Sequence, residues 1–241
     1  MSIHLVGGGW SDDYDGEVYR EFLAEATVRA KASGRDRPRI GVVLVREDTE
    51  TASARSAQYS ELLVRTLDCE PIVTSIVEGD LLTSNALSGI DALLIGGGLT
   101  PAYLDAVVPI IDEIRLLVAD GLPYLGFSAG AMIASDSAII GGWMIGDISV
   151  CPPDAAEDLE DVTIVEGLGL IDLAVDVHAA QWGTLSRLVA ATEAGLVEGG
   201  VAIDEFTALI VGDDSLRVVG EGSVWMVSQH DDGVLVSTLG A

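Results

Sequence analysis

Gly126-Phe127-Ser128-Ala129-Gly130 has the spacing of a nucleophile elbow, a sharp turn that presents a serine between a strand and a helix. The turn is sterically tight, so the residues two before and two after the serine must be small. An apolar run at 122–127 reads as the preceding strand, and Ala129-Gly130-Ala131-Met132-Ile133-Ala134 reads as the start of the following helix. Free N–H groups at the start of that helix would face the point where negative charge develops during acyl transfer. A serine hydroxyl also needs a base. Of the three histidines, His4 lies inside a strand-like segment and reads as structural, and His230 lies in a polar turn and reads as solvated. His178 closes an apolar run at 173–177 and opens a helix, which puts it at a strand end, as Ser128 is.

A third group must orient the imidazole. Among 39 acidic residues, Asp204 and Glu205 stand out because they end an apolar strand at 201–203, whereas most others read as solvated surface. Gly96-Gly97-Gly98 also ends a strand, and its amides, with that of Ala129, could hold an oxyanion. Gly7-Gly8-Gly9 resembles the start of a dinucleotide loop. Trp10, Ser11, Asp12 and Asp13 follow it, however, with no third glycine in register and with acids that repel a pyrophosphate, so nucleotide binding is not expected.

The elements that must position these groups follow from hydrophobic periodicity. Short continuous apolar runs at 3–6, 40–45, 71–77, 90–95 and 122–127 read as strands, and 16–32, 51–67 and 101–119 as helices between them. This alternation predicts an α/β fold, a three-layer doubly wound sheet that is mostly parallel, with reactive groups at the strands' carboxyl ends. The second half changes character. Residues 138–145 read as strand, 146–161 as an exposed acidic loop, and 178–196 as helix. Short strands follow at 201–203, 208–211, 216–219, 224–227 and 234–238, with hairpin turns at Asp213-Asp214 and Asp231-Asp232-Gly233. No linker or repeat interrupts the chain, so residues 1–241 are expected to form a single catalytic domain.

The 241 residues are 49% apolar and carry a net charge of −27, so a globular protein is expected and nucleic acid or an anionic membrane is not an expected partner. No apolar run approaches the roughly 20 residues of a membrane span. The amino-terminal residues enter a strand without a basic segment, unlike a signal peptide. Cys69 and Cys151 lack metal-like or redox-like spacing and read as packing residues. A cytoplasmic protein, monomer or homodimer, with no cofactor and no metal is the resulting expectation.

Taken in order, Gly96-Gly97-Gly98-Leu99-Thr100, Gly126-Phe127-Ser128-Ala129-Gly130-Ala131, His178 and Ile203-Asp204-Glu205-Phe206-Thr207-Ala208 resemble the aspartyl dipeptidase (peptidase E) and cyanophycinase family of serine peptidases. The match covers roughly residues 90–227. The resemblance implies a class I glutamine amidotransferase-like fold with serine in place of cysteine at the elbow, and neither cysteine of this chain lies there. It implies that Ser128 attacks the peptide carbonyl, that His178 is base and then acid, and that Glu205, ahead of Asp204, orients His178. Gly97 or Gly98 and Ala129 would hold the oxyanion, and Thr100, Gln181, Trp182 and Arg187 would meet substrate, Arg187 through a carboxylate.

Two departures bear on specificity. Cyanophycinases carry a run after the histidine resembling H-F-x-x-R-x-R-x-x-R-L, whereas here only Arg187 and Leu188 match its end, and Trp182 and Thr184 stand where arginines would. Leu99 replaces the asparagine of a peptidase E-like Gly-Gly-Gly-Asn-Thr run. The leading expectation is a serine peptidase of small peptides, cleaving at aspartyl or isoaspartyl bonds. Alternatives are a cyanophycinase-like exopeptidase, an α/β-hydrolase-like esterase using Ser128, Asp204 or Asp213, and His230, and a non-catalytic binding member of the fold.

Overall fold

The computed structural model describes residues 2–11, 14, 16–212 and 215–240. The Asp213-Asp214 turn, together with Asp213 as a triad alternative, lies outside the described residues. The first half alternates as β1 (Ile3–Val6), α1 (Glu17–Ala32), β2 (Arg39–Arg46), α2 (Thr49–Thr66), β3 (Glu70–Val77), β4 (Ala92–Ile95), α3 (Thr100–Val107), α4 (Ile111–Ala119) and β5 (Tyr124–Phe127). Five of these strands run parallel in the order β1-β5-β4-β2-β3.

Both faces of this sheet are covered, which is why its strands are continuously apolar rather than alternating. Along β2, Ile40, Val42 and Leu44 pack under α1 and α2 against Tyr19, Phe22 and Leu63. The intervening Val43 and Val45 face the other core, with Tyr103, Leu104 and Ile114. The period of two thus divides each strand between two cores.

The helix expected over 101–119 is broken. Val108–Ile110 is a 3-10 turn between α3 and α4, because Pro109 lacks the amide that a continuing helix needs. After β5 comes a single turn, α5 (Ala129–Met132), then β6 (Ser137–Gly141), β7 (Met144–Ile145), β8 (Ile148–Ser149) and β9 (Thr163–Glu166). The strand expected over 138–145 is therefore two, separated at Gly142, whose φ of 94° breaks the extended run.

The remaining elements are β10 (Ala174–Val177), α6 (Ala179–Trp182), α7 (Leu185–Glu193), β11 (Gly199–Ile203), β12 (Thr207–Val211), β13 (Leu216–Gly220), β14 (Ser223–His230) and β15 (Gly233–Gly240). Gly183, at φ 72°, splits the single helix expected over 178–196 into α6 and α7. The carboxyl-terminal strands are not one short-stranded appendage. β12 and β13 extend the main sheet antiparallel beside β1, making it seven-stranded, while β10, β11, β14 and β15 form a second, four-stranded sheet. β14 and β15 each have eight residues and turn at Asp231-Asp232.

Candidate active site

The elbow is built by backbone contacts. Ser128 has φ 53° and ψ −109°, and its amide donates to the Val6 carbonyl at 2.9 Å, tying the turn to β1. A methyl group on Gly126 would stand 2.3 Å from the Gly130 oxygen, and one on Gly130 would stand 2.2 Å from the Ile95 oxygen. Both are far inside contact distance, so glycine is the residue that fits at each position. Tyr124 fastens the same corner from below, its hydroxyl donating to the Gly130 carbonyl at 2.7 Å.

His178 approaches from the other sheet. It follows β10 directly, in a left-handed conformation (φ 54°, ψ 38°), with its amide donating to the Gly7 carbonyl at 2.9 Å. Glu205 follows β11, the parallel neighbour of β10, so the ends of the two strands place both side chains together. The resulting relay joins Ser128 Oγ to His178 Nε2 at 2.9 Å and His178 Nδ1 to Glu205 Oε1 at 2.7 Å. Burial pushes the His178 imidazole below its ordinary 6.5 and outweighs the upward pull of Glu205. The imidazole therefore favours its neutral form, with Nε2 free to accept a proton when Nδ1–H faces the carboxylate.

Asp204 does not join this relay. Its buried carboxylate accepts from Ala180 N–H, Ser223 N–H and the Trp225 indole at 3.0, 3.0 and 3.1 Å, which braces the corner on which Glu205 stands. His230 ends β14 at the exposed hairpin tip, and His4 is buried beside Phe22 in β1. The geometry thus gives no support to an order of Ser128, Asp204 and His230.

The loop set aside as a dinucleotide site has another use. A methyl on Gly8 would lie 2.1 Å from His178 Cε1, and one on Gly9 would lie 2.8 Å from Glu205 Cβ. Both residues have positive φ, at 98° and 87°. Gly7-Gly8-Gly9 is the floor on which the histidine and the glutamate are laid, and the Gly8 carbonyl accepts from Phe206 N–H at 2.9 Å. The five described non-glycine residues with positive φ are Ser128, His178, Phe206, Glu157 and Asp158. Four of them line the cleft and Phe206 adjoins Glu205, so backbone strain gathers at this site.

The cleft encloses about 700 Å³. Gly97 and Gly98 line it, and a methyl on Gly97 would meet Ser128 Cβ at 2.7 Å. Gly98 and Ala129 N–H have no protein acceptor among the described residues. Trp182 stacks flat on the His178 ring, with centroids 3.9 Å apart and planes within 7°.

Three expected substrate contacts are placed otherwise. Arg187 is 1% exposed and does not reach the cleft: it forks onto Asp176 at 2.8 and 2.7 Å and donates to the Gly142 and Ala155 carbonyls. Four of its five N–H donors are used inside the protein and its side chain is sealed from the cleft, so it does not meet a substrate carboxylate. Thr100 is wholly buried and gives its amide to Glu157 at 2.8 Å, while Gln181 accepts from Glu205 N–H at 3.0 Å and so steadies the relay.

Sequence reasoning missed the wall made by Trp10, Arg46, Arg55 and Tyr59, although Arg46 ends β2 at the carboxyl edge where sites form. It also read 146–161 as an exposed loop. In the structure Cys151 and Ala155 are buried, Arg187 holds the loop from within, and Asp154, Glu157 and Asp158 face the cleft. Burial raises the Glu157 carboxyl above its ordinary value.

This architecture is an α/β sheet protein with a serine elbow and a second sheet bearing its partners, and it has known relatives. Residues 51–219 match the family model for peptidase family S51, and the chain belongs to that family. It is 32% identical over 178 residues to the cyanophycinases of Synechococcus elongatus and of Thermosynechococcus vestitus, an alignment covering 73% of this chain and 47% of theirs. The chain therefore spans about half the length of these curated relatives. In fold it is similar to a crystal structure of a peptidase from an acI-B1 Actinobacterium (TM-score 0.63, 20% identity, 100% of this chain and 94% of that one). It is also similar to a Listeria monocytogenes EGD-e protein assigned as a peptidase E (TM-score 0.51, 14% identity, 92% and 98%).

Proposed function

We propose that this chain is a serine peptidase that hydrolyses short peptides at aspartyl or isoaspartyl bonds through an acyl-enzyme. The observation that carries the reading is the continuous relay Ser128 Oγ–His178 Nε2–Glu205 Oε1, in a cleft whose wall offers open backbone amides. Ser128 Oγ attacks the carbonyl carbon while His178 Nε2 takes its proton, and Glu205 stabilises the imidazolium. The oxyanion is met by N–H groups at Gly98 and Ala129, with Gly97 adjoining. The C–N bond breaks as His178 returns the proton to the departing amine. Water, deprotonated by the same nitrogen, then cleaves the serine ester and frees the enzyme.

Family membership supports a peptidase, and the small-peptide preference draws on the missing arginines after His178. The net charge of −27 supports a protein that acts without nucleic acid. No described helix is long and apolar enough to cross a membrane. The proposal takes residues 1–241 as one catalytic domain, cytoplasmic, a monomer or homodimer, needing no cofactor. A fluorophosphonate probe is expected to label the protein, and the label to disappear in Ser128→Ala and His178→Ala. Labelling that persists in Ser128→Ala would overturn the reading. A cyanophycinase-like activity, suggested by the two curated relatives, is distinguished by release of β-Asp-Arg from the polymer.

A further inference from the structure

Cations are scarce in this chain, with 12 lysines and arginines against 39 acids. Most of its arginines are spent on carboxylates: Arg29, Arg35, Arg37, Arg39, Arg115, Arg187 and Arg217 each hold one. Two that line the cleft do not. Among the described residues neither Arg46 nor Arg55 forms an ion pair, and both are half-buried. Arg46 Nε is buried without a hydrogen-bond partner. Arg55 Cζ lies 4.8 Å from the centroid of the Trp10 ring, within reach of a cation–π contact.

The carboxylates Glu47, Asp154, Glu157, Asp158 and Glu205 line the same cleft, and among the described residues none of them is ion-paired with either arginine. A protein of net charge −27 repels an anionic substrate unless a local positive charge offsets the field, and two guanidiniums without a carboxylate partner supply that offset in the cleft. The position fits. A methyl on Gly97 would lie 2.7 Å from Ser128 Cβ, and one on the adjacent Gly98 would lie 2.8 Å from Arg46 Nη1, so two consecutive glycines separate the guanidinium from the nucleophile. Arg46, Arg55 and Gly98 also border a second cavity of about 380 Å³ behind the cleft, which gives a side chain room beyond them.

Resting on the peptidase reading, we infer that Arg46 and Arg55 form the subsite that reads a carboxylate of the substrate, the task for which Arg187 is unavailable. A guanidinium fork grips a carboxylate through two parallel N–H···O bonds, which a neutral amide of the same shape cannot reproduce.

The test measures equilibrium binding by calorimetry on Ser128→Ala, which holds peptides without cleaving them, so it does not depend on turnover. Asp-Leu, its neutral twin Asn-Leu, and Asp-leucinamide are compared. Asp-Leu is expected to bind at least about tenfold more tightly than whichever analogue lacks the recognised carboxylate. Loss with Asn-Leu identifies the side-chain carboxylate, and loss with Asp-leucinamide the terminal one. Adding Arg46→Gln or Arg55→Gln should erase that preference while the weaker analogue's affinity stays within about threefold, and Arg→Lys should restore part of it. A preference that survives both glutamine variants, or affinities that are equal for all three peptides, overturns the subsite. Absence of fluorophosphonate labelling in the unaltered protein would overturn the peptidase reading instead.

Discussion

The two sheets contribute to the site in opposite ways. The seven-stranded sheet supplies Ser128, the proposed nucleophile, from one tight local turn whose glycines contact each other and the neighbouring strand. The four-stranded sheet supplies His178 and Glu205, the proposed base and its carboxylate, from two strand ends 27 residues apart, joined because β10 and β11 lie side by side. A local turn is specified by a few residues' sterics. Two strand ends are specified only when a sheet registers them, so the second half of the site depends on long-range packing. Gly7-Gly8-Gly9 is the seam, bonded to His178 and Phe206 from the end of β1.

Removing the nucleophile should give the largest effect. Ser128→Ala is expected to lower kcat/KM by about 10⁴-fold or more with unfolding temperature little changed, since the turn is held by its glycines. The second-sheet side is tested by Arg187→Ala, which strands the Asp176 carboxylate in the core beside β10. Breaking such a buried pair costs about 3–5 kcal/mol, read by denaturant titration. Normal stability in this variant would show that the loop over 146–161 does not rely on the clamp.

The seam should answer in activity more than in stability. Gly8→Ala drives a methyl into the His178 ring and strains φ, and a displacement of about 1 Å in the relay costs about 10²-fold in kcat/KM. The pH profile separates the base from the nucleophile. Because burial holds His178 below 6.5, its neutral, working form persists beneath that pH, and the acid limb of kcat/KM is expected to lie below 6.5. Trp182→Ala uncovers the ring, weakens the burial effect and should move that limb upward.

The smallest effect belongs to Glu157. Burial raises its carboxyl above the ordinary value, so ionising it there carries a cost that glutamine avoids while still accepting from Thr100 N–H. Glu157→Gln is expected to be neutral or stabilising by up to about 1 kcal/mol at pH 7. The difference should shrink as pH falls toward the ordinary glutamate value, because the raised folded-state carboxyl protonates first, and it should vanish below that value.

Much of this was legible before folding. Continuous apolar runs mark strands covered on both faces, and the glycine spacing around Ser128 marks the elbow. His178 and the pair Asp204-Glu205 could be singled out because each follows an apolar run, and only the family resemblance ranked Glu205 ahead of Asp204. The use of Gly7-Gly8-Gly9 was not legible, since its purpose is the room it leaves for His178 and Glu205, which are remote in sequence. Arg187 shows the reverse: its position after His178 suggested a substrate contact, and only the burial of Asp176 opposite it shows otherwise.

What the sequence by itself determined is what short-range sterics and periodicity encode: the alternating strands and helices, the elbow, and the short list of residues that could serve it. The tertiary structure alone decided which carboxylate meets His178, that Asp204 braces a corner, and that one arginine is locked inside while two others face the cleft unpaired. Those outcomes depend on which charges and donors remain unsatisfied after the chain has packed, and no residue's sequence neighbours determine that.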